Sequence, residues 1–139
     1  METFEYYEKQ GLVKKGTQNL ERAKALIKDA NERISDIKLL SIEKFPKLFF
    51  EHLYDALRDF CDAILIIDGY KSYSHEASIS HLSKKGFGID AISKLDNFRF
   101  KRNGSKYYGQ KILISDAKEI LDFYNLTKGK FNKIFEEII

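Results

Sequence analysis

Leu20-Glu21-Arg22-Ala23-Lys24-Ala25-Leu26-Ile27-Lys28-Asp29-Ala30-Asn31-Glu32-Arg33-Ile34-Ser35-Asp36-Ile37 is the stretch whose reading decides the fold. Leu20, Ala23, Ile27, Ala30, Ile34 and Ile37 recur at alternating spacings of three and four. That period lays one apolar stripe along a helix and turns Arg22, Lys24, Lys28, Asp29 and Glu32 mostly outward. The pattern predicts a long helix from about Lys14 to Lys38.

Working outward, Phe4 to Tyr7 reads as a short turn packed on the helices. Downstream, Pro46 suits the first turn of a second helix, where its missing N–H costs nothing. From Pro46 to about Tyr70 the apolar residues Leu48, Phe49, Leu53, Ala56, Leu57, Phe60, Ala63, Ile64 and Ile67 occupy more than one face. A helix apolar most of the way round packs against several neighbours, so this one is central. Asp55, Arg58, Asp59 and Asp62 keep a narrow polar strip on it, which either meets solvent or faces a site.

Gly69 fits a helix stop, and Ser74 an N-cap for a short helix with Glu76 in its first turn. Lys84-Lys85-Gly86 ends that helix, and Phe87-Gly88 is a turn. A fourth helix is predicted from Ile89 to Arg102, with Ala91, Leu95 and Phe98 inward and Asn103-Gly104 breaking it. The last starts near Asp116, where Asp116 and Glu119 have capping-box spacing. Gly129 leaves open a bend or break between Asn125 and Lys130.

Composition agrees. One proline, scarce Val and Thr, and abundant Leu, Ile, Lys and Glu favour helix over strand. The 139 residues suit one domain, and eleven Phe and eight Tyr fill its core. The expectation is a single all-α domain over 1–139, an up-and-down bundle of about five helices. With no basic, apolar leader at Met1-Glu2-Thr3-Phe4-Glu5 and no long apolar run, a cytoplasmic protein without a membrane partner is expected.

Cys61 is the only cysteine, which excludes an internal disulfide and a cysteine-based metal site. His52, His75 and His81 lack the i, i+3 or i+4 spacing of a helical ligand pair, so neither a metal nor another cofactor is expected. His75, at a helix start, reads first as a structural or surface residue. Charge is more informative. Of 24 Lys and Arg, eight fall between Lys84 and Lys111 against only two acids, leaving 16 basic and 19 acidic residues elsewhere. One basic segment on an otherwise acidic chain is a candidate anion site.

Within that segment stands Arg99-Phe100-Lys101-Arg102-Asn103-Gly104-Ser105-Lys106-Tyr107-Tyr108-Gly109. Arg99, Arg102 and Lys106 share a face if the helix continues, and Arg102 extends the apolar stripe, which puts its stem against the core. Guanidinium forks suit phosphate, and tyrosine rings offer stacking surfaces for bases. A solvated basic helix end, with Tyr107 and Tyr108 capping the core, is the plainer alternative.

This element resembles that of the HEPN family, whose motif is Arg, four to six residues, then His at the end of a late helix. Small archaeal-type members resemble the form Arg-Asn-x-x-x-Tyr-Tyr-Gly, here Arg102 to Gly109. The run Ile67-Asp68-Gly69-Tyr70-Lys71-Ser72-Tyr73-Ser74-His75-Glu76 is also similar, so the resemblance spans about Asn19 onward. It implies a nucleotide- or RNA-associated module, with Arg99, Arg102, Asn103, Lys106, Tyr107, Tyr108 and His75 as contact candidates.

It further implies a homodimer, and a minimal nucleotidyltransferase partner in a toxin–antitoxin-type system. Nuclease-competent members cleave RNA without metal, using the Arg and His at a dimer cleft. Here Tyr107 or Tyr108 replaces the His, and a phenol with pKa about 10 is a poor base at neutral pH. Weak or absent cleavage is therefore expected. In the family pattern AMP is attached two residues beyond the His, which falls on Gly109, so Tyr107 or Tyr108 serves only with a shifted register. A metal-independent endoribonuclease using Arg102 with Tyr108 or His75, and a structural partner-binding bundle, are the competing expectations.

Overall fold

The computed structural model describes residues 1–138. In chain order they form α1 (Phe4–Lys9), β1 (Val13–Lys15), α2 (Leu20–Ile37), α3 (Pro46–Ile67), β2 (Tyr70–Ser72), α4 (His75–His81), α5 (Ile89–Tyr108) and α6 (Ile114–Glu136). A 3-10 turn over Leu82–Lys85 follows α4. The all-helical bundle stands, with six helices rather than about five. No helix among the described residues is long and apolar enough to cross a membrane.

The first correction concerns the long helix. It starts at Leu20, because the Asn19 side chain caps it by accepting the Arg22 N–H at 3.1 Å. Val13–Lys15, expected near its start, instead pairs antiparallel with β2, Val13 opposite Ser72 and Lys15 opposite Tyr70. The remaining stripe of α2 is buried on α3, whose Phe50, Leu53, Leu57, Phe60 and Ile64 lie at the centre of the core. Phe60 meets Phe131 and Phe135 of α6, while Phe98 of α5 bridges Phe50 and Phe123. Phe4 to Tyr7 is more than a turn. It lies in α1, capped by Thr3, and Phe4 and Tyr7 join Val13, Leu65 and Ala77 in a second small cluster.

Asn103-Gly104 does not break the fourth helix. α5 runs through it to Tyr108 and stops at Gly109, which is left-handed at φ 64°. A glycine costs a helix interior about 1 kcal/mol, and tertiary contacts on both sides of this one outweigh that. Gly104 is itself buried beneath the Gln110 side chain, which occupies the space a Cβ would need. α6 likewise passes Gly129 without interruption. It begins two residues earlier than expected. The Asp116 carboxylate accepts the Leu113 N–H at 2.9 Å, so Asp116 is the inner partner of the cap, and Glu119 instead reaches Lys101. Pro46, Gly69 and Ser74 occupy the helix ends assigned to them.

Candidate functional site

The polar residues of α3 divide between two neighbours. His52 and Asp59 turn toward α2, where Arg33 lies 3.5 Å from His52 Nδ1 and 4.0 Å from Asp59. Burial pushes the Asp59 carboxyl up to about 6, against the opposing pull of Arg33. Glu51, Asp55, Arg58 and Asp62 follow one another at helical spacing on another face, toward α4 and α5.

Three of these four are engaged there. Glu51 accepts from Ser105 Oγ at 3.0 Å, Asp55 from Arg102 Nη2 at 3.3 Å, and Asp62 from Ser78 Oγ at 2.7 Å. Arg102 is only 9% exposed, and its Nε is buried without a hydrogen-bond partner. The motif arginine is thus a strut between α5 and α3. Its expected position against the apolar stripe is correct, but its head meets a carboxylate instead of an open groove.

Arg99 is held too, by Asp96 at 2.9 Å and Glu76 at 3.5 Å. Glu76 also accepts the Tyr7 hydroxyl at 3.1 Å, and burial with that contact raises the Tyr7 phenol to about 12. Lys101 bonds Asp116 at 2.7 Å.

Beyond Arg102 the helix end opens to solvent. Tyr107 and Tyr108 are 65% and 79% exposed and cap no core, which removes that plainer reading of them. Lys106 places its ammonium 5.5 Å from the Tyr107 ring, and Arg99 its guanidinium 4.5 Å from exposed Phe100. Phe100, Asn103, Tyr107, Tyr108 and Gln110 line a shallow cavity of about 470 Å³. On a straight helix Tyr107 and Tyr108, five and six residues past Arg102, point away from its face. Neither stands beside the arginine as a motif histidine would.

His75 does lie within reach of that charge. Burial first, and then the positive charges of Arg58, Arg102 and Arg99, push its pKa down to about 4, so the imidazole is neutral at pH 7. Its Nδ1 is buried without a partner. His81, in contrast, is a core residue bonded to Asp68 at 2.7 Å and packed on Phe4. Burial raises the Cys61 thiol and leaves it a small buried hydrophobe. Among the described residues no group of three His, Cys, Asp or Glu could hold a metal ion.

Sequence reasoning missed a second cavity of about 500 Å³ between the two-stranded sheet and the starts of α2 and α4. Arg22, Arg58, Asp62, Lys71, Tyr73 and His75 line it. The one signal available beforehand was Arg58, a lone cation in a strip otherwise made of aspartates.

No family model, curated protein or solved structure matches this chain. The resemblance to HEPN domains therefore rests on the motif residues and their place at the end of α5.

Proposed function

We propose that this protein is a HEPN-like module that binds RNA or nucleotides through the exposed end of α5. The observation supporting this is the pairing of cations with exposed aromatic faces there, Lys106 with Tyr107 and Arg99 with Phe100, next to Tyr108. Bases stack on such rings regardless of sequence, while nearby lysines neutralise phosphates. Lys44, Phe45, Lys47 and Lys111 line an adjoining cavity and extend the same basic, aromatic surface toward the start of α3.

Arg102 acts in this reading as a positioning residue that holds the helix end in place, and Asn103 lines the shallow cavity beside Tyr107 and Tyr108. The reading also carries a homodimer and a minimal nucleotidyltransferase partner in a toxin–antitoxin-type system. Tyr107 and Tyr108 present hydroxyls accessible to such a partner. Cleavage is weak or absent, since neither tyrosine stands on the face of Arg102.

The test is fluorescence anisotropy with a short single-stranded RNA in EDTA at two salt concentrations. Replacing Tyr107 and Tyr108 by Ala is expected to weaken binding by about tenfold or more, from roughly 1–3 kcal/mol per stacked base. Affinity that is unchanged by this and insensitive to salt sinks the proposal and leaves a structural, partner-binding bundle.

One observation favours a second reading, metal-independent RNA cleavage. His75 lines a groove with Arg58 and its imidazole is neutral and free to accept a proton, while a pKa of about 4 makes it a weak base at pH 7. Cleavage in EDTA that His75→Ala abolishes would establish it.

A further inference from the structure

We propose that the groove between the β1–β2 sheet, α3 and the start of α4 is a second binding site, for the dianion of a phosphate monoester. Arg22 and Arg58 line this groove, and neither side chain forms an ion pair or hydrogen bond among the described residues. Elsewhere the arginines are engaged: Arg33 with Asp29, Arg99 with Asp96, Arg102 with Asp55. Unpaired guanidiniums at a concave surface are forks waiting for a planar or tetrahedral oxyanion.

The local charge balance points the same way. Lys71 adds a third cation to the lining, while Asp62 is its only carboxylate. That carboxylate accepts from Ser78 at 2.7 Å, and burial raises its pKa against the opposing pull of Ser78, Arg58 and Arg22, so one carboxylate stands against three cations. His75, on the same wall, is kept uncharged chiefly by burial and adds no negative charge to the lining. The cavity is large enough for a small organic phosphate. Tyr73, exposed and with Lys71 5.5 Å from its ring, offers a face for a planar group esterified to that phosphate.

This site stands apart from the end of α5. Glu51 marks that end and Asp62 the groove, about 16 Å apart along α3 at 1.5 Å per residue. The two proposals can therefore fail separately.

The experiment is titration calorimetry on the full chain with inorganic phosphate, AMP and adenosine. Phosphate and AMP are expected to compete for one site, and adenosine to show no binding. Arg22→Gln and Arg58→Gln are each expected to weaken AMP about tenfold or more, the worth of one charge-assisted contact. Arg22 is exposed at the start of α2, so its replacement leaves the fold intact even if Arg58→Gln does not. The variant with Tyr107 and Tyr108 replaced by Ala should bind AMP as the parent does. No binding of phosphate or AMP, equal binding of adenosine, or AMP affinity unchanged in Arg22→Gln would each overturn the assignment.

Discussion

Two ends of α3 present arginines in opposite circumstances. At the Glu51–Asp55 end, Arg102 lies buried on a carboxylate, and Ser105 beside it is bonded as well. At the Arg58–Asp62 end, Arg58 and Arg22 face a groove whose one carboxylate, Asp62, bonds Ser78 and forms no direct pair with either. An identical side chain serves as a strut in one place and an open anion receptor in the other. The difference is desolvation: a guanidinium removed from water requires a charged partner, whereas one at a groove keeps its hydration until a ligand replaces it.

The sharpest way to break the comparison is to remove the partner of the strut. Asp55→Ala leaves Arg102 buried and unpaired and is expected to cost about 2–3 kcal/mol in urea unfolding, below the full penalty because Asp55 keeps some solvent. If that loss is under about 0.5 kcal/mol, Arg102 is not a strut between α5 and α3.

A pH series sharpens the other end. The pKa of His75 drops from its ordinary 6.5 to about 4 on folding, so between those values the unfolded chain binds the extra proton. Its contribution is complete above pH 6.5 and is lost as pH falls toward 4, worth about 1 kcal/mol after allowance for its partial exposure. Asp59 works against it. With its carboxyl raised to about 6, folding becomes easier as pH drops through that value. The difference between wild type and His75→Gln across pH 4–7 isolates the histidine, and parallel curves would refute its assigned state.

The helical glycines give a smaller contrast. Gly129 has open space where a Cβ would sit, so Gly129→Ala is expected to raise stability by about 0.5–1 kcal/mol. Gly104→Ala should gain less, since the Gln110 side chain must first move aside. Thermal melts of both variants test the ordering. Least of all, Arg58→Gln should change unfolding free energy by less than about 0.5 kcal/mol while removing one of the three cations of the groove. A larger loss would make Arg58 a second strut.

Much of the fold was legible in the chain. The stripe of α2, the many-sided apolar surface of α3, and the end signals at Pro46, Gly69 and Ser74 all act through neighbours within a turn or two. Asn103-Gly104 misled because local propensity weakens a helix there. What carries α5 onward is Ser105 on Glu51, 54 residues away in sequence, together with the cover of Gln110. The short strands escaped notice for a similar reason, as Val13 acquires its conformation only opposite Ser72.

The candidate site divides along the same line. Sequence by itself determined an all-helical bundle, a basic segment ending in Tyr107-Tyr108, and an arginine whose stem lies on the core, because periodicity and composition are properties of the chain. Only the tertiary structure decided which cations are spent and which are free. Arg102 finds Asp55 across 47 positions, while the Arg58 side chain forms no ion pair or hydrogen bond among the described residues. Pairing of charges depends on distance in space and on exclusion of water, and neither is written in the order of residues.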